Sequence, residues 1–260
     1  MAPAFPGGPE NPFTIQAATN DIWVYDLTRE TLSRLTFDTQ NDFQIWTPDG
    51  KRVTFTSYRA AAVDLFSRIA DGSGAEERLT TGDSALSWSP DGRVLLFSKG
   101  GDVWILPTDG DRKPRPFVQT PFADGYARFS PDGRWVAYLS NESGRNEVYV
   151  QPFPGPGEKK QISTDGAAEP VWARNGRELF YRNADKMMAV EVTTSPSFMA
   201  GKPRLLFERP YVRVSARPNY DVTPDGRFLM LQQIEAESAP MYLNVVQNWT
   251  EELKRLVPTK

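Results

Sequence analysis

A short turn recurs along the chain at near-constant spacing, and no other feature restricts the fold as much. It reads Trp46-Thr-Pro-Asp-Gly-Lys51, Trp88-Ser-Pro-Asp-Gly-Arg93, Phe129-Ser-Pro-Asp-Gly-Arg134, Trp172-Ala-Arg-Asn-Gly-Arg177 and Val222-Thr-Pro-Asp-Gly-Arg227. The Asp or Asn falls at positions 49, 91, 132, 175 and 225, at intervals of 42, 41, 43 and 50 residues. That period belongs to a propeller blade rather than to a helical repeat, and the long last interval implies an insertion. Proline presets φ, Asp or Asn bonds its own backbone, and Gly takes the positive φ that a tight hairpin needs. Each copy therefore joins two antiparallel strands, and its Asp is a poor candidate for chemistry.

A short apolar strand follows each turn, at residues 53–56, 94–97, 135–138, 178–181 and 228–231. Third strands follow at 64–69, 102–106, 147–150, 186–190 and 241–246, with an earlier copy at 21–25. Fourth strands end near 34–36, 78–80, 116–118, 161–163 and 205–207. Four strands per repeat and six third strands predict an all-β fold, a six-bladed β-propeller of four-stranded antiparallel blades over residues 13–247. Only five first strands are legible, so the first blade, within 13–37, lacks an inner strand. Either the Pro- and Gly-rich segment 1–12 or an irregular strand closes the ring, or the chain is the tail of a longer protein; the missing strand favours the last. Residues 248–260 predict a short helix and tail, with Trp249, Leu253 and Leu256 at helical spacing behind an Asn248-x-x-Glu251 cap.

The Ser-Pro-Asp-Gly-Arg turn followed by an Asp-x-Trp/Tyr-Val strand resembles the TolB-like, WD-repeat-like propeller repeats across nearly the whole chain. The stretches Glu147-Val-Tyr-Val-Gln-Pro-Phe-Pro-Gly155, Glu178-Leu-Phe-Tyr-Arg-Asn183 and Asn248-Trp-Thr-Glu-Glu-Leu253 are similar to the C-terminal propeller region of bacterial membrane-anchored serine/threonine kinases. That resemblance implies a sensory or protein-binding part of a bacterial signalling protein, extracytoplasmic where the whole protein is anchored. A kinase domain itself is missing from these residues, which offer neither a catalytic-loop His nor a Gly-rich nucleotide loop.

Composition removes further classes. The 260 residues contain no His and no Cys, so Ser-His-Asp and Cys-His mechanisms, His or thiolate metal sites, and disulfides are unavailable within the chain. Chemistry here must use carboxylates, Tyr, Lys, Arg or a hard cation. A net charge of -3 without a basic stripe argues against nucleic acid. Residues 1–12 carry no apolar run, so they read as neither signal peptide nor membrane span, and no direct membrane insertion is expected. A Cys-free chain suits an oxidising compartment and a cytoplasmic one alike, which leaves the compartment open.

Ligand contacts in a propeller are expected at the channel mouth, on the segments that enter the inner strands. Those segments carry Asp42, Asp83, Asp124 with Tyr126, Glu169, and Arg217 with Asn219. A ring of Asp42, Asp83, Asp124 and Glu169 would favour a basic peptide or a cation, calcium above all, with Asn219 as a further oxygen donor. The competing reading is that turn-forming Asp is common before strands. Tyr58, Arg59, Arg145, Asn146, Arg182 and Asn183 read as exposed contacts on the same face, and the Trp series at 46, 88 and 172 as packing between blades. The residues thus predict a non-catalytic module binding a protein or peptide, with a small-molecule ligand as a lesser expectation. The alternative is a calcium-dependent hydrolase or lactonase built on channel carboxylates.

Overall fold

In the computed structural model, which describes residues 10–16, 20–26, 29–38, 40–212, 219–223 and 225–231, all five turns close hairpins. The first sheet is β1 (Glu10–Gln16), β2 (Asn20–Asp26) and β3 (Thr31–Arg34). The second is β4 (Asn41–Trp46), β5 (Arg52–Ser57), β6 (Asp64–Ile69) and β7 (Glu77–Thr81), and the third is β8 (Ser84–Trp88), β9 (Val94–Lys99), β10 (Asp102–Pro107) and β11 (Arg115–Val118). The fourth is β12 (Asp124–Phe129), β13 (Trp135–Ser140), β14 (Glu147–Pro152) and β15 (Lys160–Gln161). The fifth holds β16 (Ala168–Trp172), β17 (Glu178–Asn183), β18 (Lys186–Thr193), β19 (Met199–Ala200) and β20 (Arg204–Glu208), and β21 (Tyr220–Val222) pairs with β22 (Phe228–Met230). All these pairings are antiparallel and sequential, apart from β18, which carries both β19 and β20 on one edge. The long turn interval is explained by that edge: β18 runs on past its blade length, and Val192 and Thr193 pair with Ala200 and Met199.

The first sheet begins at Glu10, and β1 pairs with β2 in the register Phe13 opposite Trp23. The expected third strand at 241–246 and the helix at 248–260 lie outside the described residues, as does the closure of the ring.

Side chains on the second strand of the second to fifth sheets alternate between two neighbours, as a period of two demands. Leu95 and Phe97 pack with Leu65 of the preceding sheet, while Leu96 packs with Ala127, Phe129 and Val136 of the next. Likewise Leu179 and Tyr181 pack back against Leu139 and Val148, and Phe180 packs forward against Tyr220 and Val222. The second to fifth sheets are thus buried on both faces, which is why these strands read as continuous apolar runs. Complete burial of one such Leu or Phe contributes roughly 1.5–3 kcal/mol. The register tryptophans belong to this packing, as expected: Trp88 Nε1 donates to Thr54 Oγ1 at 3.2 Å and Trp172 Nε1 to Arg128 O at 3.1 Å, each across a sheet boundary.

The turns also stack. A Cβ added at Gly92, Gly133 or Gly176 would lie 4.0, 3.3 or 3.9 Å from the ring Cδ of Pro48, Pro90 or Pro131, the proline of the preceding turn. Within a turn, Ser89 Oγ donates to Asp91 Oδ1 at 2.6 Å and accepts from Val94 N at 2.9 Å, and Arg93 N donates to the same Asp oxygen at 3.1 Å. The Ser89 hydroxyl, then the Arg93 amide, hold the Asp91 carboxyl below its ordinary pKa. The repeat motif is therefore consumed by its own turn.

Candidate functional site: a channel walled by the inner strands

Strands β4, β8, β12, β16 and β21 stand beside one another in chain order and form the wall of a cavity of about 790 Å³. Four of the five carry one extra residue relative to their partner strand, a bulge placed between Asp42 and Ile45, Ala85 and Ser87, Gly125 and Arg128, and Ala168 and Val171. In three of them the bulge holds a non-glycine residue in the left-handed region, Phe43 (φ 51°), Tyr126 (φ 54°) and Glu169 (φ 55°). Such a conformation is uncommon and re-aims a side chain. Phe43 and Tyr126 line the cavity, as do Trp46, Trp88, Phe129 and Trp172.

Among the described residues, charge enters this aromatic wall at Arg128, Arg174 and Asp221. Arg128 and Asp221 directly precede Phe129 and Val222, the register that Ile45, Ser87 and Val171 occupy in the other inner strands. Arg174 stands where the other turns have proline. Without that proline, a Cβ at Gly226 would meet nothing within 4 Å, and Arg174 Nη2 lies 3.9 Å from Asp221 Oδ2 instead. Among the described residues no ion pair or hydrogen bond holds the Arg128 guanidinium. Desolvation in the channel pulls its pKa down, opposed by the charge of Asp221 and by Tyr220. It remains a cation at any working pH.

The residues expected at the channel mouth separate into different roles. Tyr126 and Asn219 line the cavity; Asp42, Asp83, Asp124 and Glu169 are not among its walls, and Arg217 lies outside the described residues. Asp42 accepts from Phe43 N at 2.8 Å, inside its bulge, and Asp83 accepts from Gly100 N at 2.6 Å. Asp124 accepts from Thr120 Oγ1 at 2.6 Å, and its Oδ1 is buried without a hydrogen bond. Glu169 accepts from Asn219 N at 3.2 Å and Asn219 Nδ2 at 3.4 Å, with Arg182 Nη1 at 4.0 Å. Among the described residues no three Asp or Glu converge as metal ligands would, so the calcium expectation has no assembled oxygen cage there.

Of the three arginines expected as exposed contacts, Arg59 and Arg145 are exposed but paired, Arg145 Nε donating to Glu147 Oε1 at 2.9 Å, and Arg182 is buried. Arg182 is only 2% exposed, because β17 carries it beneath the connection from β20, where Nη1 and Nη2 donate to Val212 O and Tyr211 O at 2.9 and 3.2 Å. Arg59 bridges Asp38 and Glu76 at 2.5 and 2.7 Å and lies 4.1 Å above the Phe66 ring. Tyr220 is buried, donates to Glu169 O at 2.8 Å, and has its pKa pushed well up by burial and then by the Glu169 charge.

A second recurring acid also proves structural. Asp21, Asp64, Asp102 and Glu147 open the third strands and tie them to the fourth strand or the segment after it. Asp64 accepts from Arg78 Nε and Nη2 at 2.8 and 2.7 Å and from Thr81 Oγ1 at 2.9 Å. Asp21 accepts from Thr36 Oγ1 at 3.0 Å, Asp102 from Gln119 Nε2 at 3.1 Å, and Glu147 from Gly166 N at 2.8 Å.

No protein-family model matches the chain. An uncharacterized protein of Agrobacterium fabrum is 32% identical over 114 residues, 41% of this chain and 37% of that protein. Tricorn protease homolog 1 of Streptomyces coelicolor is 34% identical over 93 residues, 35% of this chain and 8% of the homolog. The matches therefore span well under half the length of either relative. By structure, TolB from Acinetobacter baumannii superposes with a TM-score of 0.63 at 18% identity, over 88% of this chain and 64% of that one. A putative TolB from Agrobacterium tumefaciens gives 0.64 at 14%, over 85% and 84%, and an oligogalacturonate lyase in complex with manganese gives 0.62 at 12%, over 84% and 66%. These structural neighbours are TolB-like β-propeller proteins, and the chain shares their fold.

Proposed function

We propose that the chain is a non-catalytic propeller module that binds a protein or peptide segment in its central channel. The observation that carries this reading is the wall itself: aromatic side chains from successive sheets, with arginine set among them, enclosing about 790 Å³. Aromatic and Arg side chains are the residue types that dominate interface energetics. A chain with no His or Cys has few groups left for catalysis, and its recurrent acids are held in turns and between strands. The similarity of residues 147–155 and 178–183 to kinase-linked propellers supports placing the module as the sensory part of a bacterial signalling protein.

A peptide array followed by intrinsic tryptophan fluorescence titration tests the reading. Saturable binding of defined peptides supports it. Absence of any peptide ligand alongside tight binding of a small metabolite overturns it. A calcium titration in the same format addresses the alternative chemistry: a large rise in melting temperature with calcium would favour the hydrolase reading.

A further inference from the structure

The described part of the channel wall carries more positive than negative charge. Among the described residues its charged members are two arginines and one aspartate, in a protein whose net charge is -3. Asp221 lies near Arg174, while the Arg128 guanidinium has no ion pair or hydrogen bond among the described residues. Both arginines break the repeat. Arg128 occupies an inner-strand register held elsewhere by Ile45, Ser87, Val171 and Asp221, and Arg174 replaces a proline that in three other turns covers the next glycine. Arg128 is partly exposed and lines the cavity, so its donors, which no ion pair or hydrogen bond occupies among the described residues, are open to a ligand. Arg128 offers a forked donor suited to a planar carboxylate, with Phe129 and Trp172 close by in the wall to cover the aliphatic part of an entering side chain.

We infer that the channel selects a peptide segment bearing an Asp or Glu side chain, whose carboxylate is received by the Arg128 guanidinium with Arg174 beside it. This deepens the peptide-binding reading and rests on it. The recognition is charge-assisted inside a cavity, so it discriminates an acid from its amide while weakening with salt less than a surface contact does.

The test uses peptides taken from the array, each acid-containing sequence paired with its Asn or Gln counterpart, and titrated into the wild-type chain, Arg128→Met, Arg128→Lys and Arg115→Met. Arg115 is exposed and outside the channel wall, so Arg115→Met reports any loss of general charge attraction. The expected result is at least tenfold tighter binding of the acid form by wild type and Arg115→Met. In Arg128→Met that preference should vanish while the amide peptide binds as before, and Arg128→Lys should restore part of it. Melting curves accompany each variant, and Arg128→Met is expected to melt at or above the wild-type temperature. Peptides that bind without acid preference, or a preference that survives in Arg128→Met, overturn the inference and leave the peptide-binding reading standing. No peptide binding at all overturns both. Binding of oligogalacturonate instead, dependent on Arg128, overturns the peptide partner in favour of an anionic glycan.

Discussion

Arg182 and Glu169 form a buried pair that pins the fifth sheet to the start of the last one. The guanidinium lies 4.0 Å from Glu169 Oε2 and donates to the carbonyls of Tyr211 and Val212, while Glu169 accepts from the backbone and side chain of Asn219. A carboxylate held this way is spent on structure. Arg182→Met should cost about 3–5 kcal/mol, because it removes one member of a buried ion pair together with the donors to the Tyr211 and Val212 carbonyls. Adding Glu169→Gln to that variant should recover part of the loss. Urea unfolding of the two single variants and the double variant measures the coupling.

The acid that opens a third strand gives a second prediction. Asp64→Ala should destabilise by about 1–2 kcal/mol, near the lower end for charged hydrogen bonds because Arg78 is half-exposed. The Arg78 guanidinium, then the Thr81 hydroxyl, hold the Asp64 pKa below its ordinary value. With the folded value below the unfolded one, the contribution is fully present above the unfolded carboxylate pKa, roughly 3.9, and disappears as pH falls through the folded value. Thermal melts of wild type and Asp64→Ala should therefore differ at pH 6 and converge in acid.

Stacked turns supply the third. Gly133 (φ 71°) has a Pro90 ring carbon 3.3 Å from where its Cβ would sit, whereas Gly226 (φ 81°) has open space. Both alanine variants pay for a positive φ, about 1 kcal/mol. Gly133→Ala should lose more, and the difference in denaturation midpoint between the two variants isolates the stacking.

Arg174→Pro is the fourth. It restores the proline that the other turns share, so the melting temperature should hold or rise, while acid-bearing peptides should bind several-fold more weakly. A variant that unfolds instead would show that Arg174 supports the turn through its pairing with Asp221.

Local chemistry made the scaffold legible. Pro-Asp-Gly turns, apolar second strands and the acid-led third strands are each dictated by a few neighbouring residues, and β6 falls on the 64–69 expected from sequence. The channel was less legible because its identity depends on bulges. One inserted residue near Asp42 or Glu169 changes which side chains face inward, and no turn motif announces it. Arg128 was legible as a charge in a register that three other inner strands fill with Ile45, Ser87 and Val171 and the β21 strand with Asp221. Arg174 was visible too, as the Pro-to-Arg departure within Trp172-Ala-Arg-Asn-Gly. Burial of Arg182 follows from the path of the chain after β20, a long-range relationship that its neighbours in sequence do not encode.

The central claim is that ligand enters the channel, and the tryptophan indole resonances report it directly. The chain has seven Trp; Trp46, Trp88 and Trp172 line the cavity, whereas Trp104 stacks beneath Lys99 away from it. Titration of an array-selected acidic peptide into 15N-labelled protein should move the indole signals of the three channel tryptophans and leave that of Trp104 in place. Shifts confined to Trp104, with the channel signals unmoved, would contradict the account.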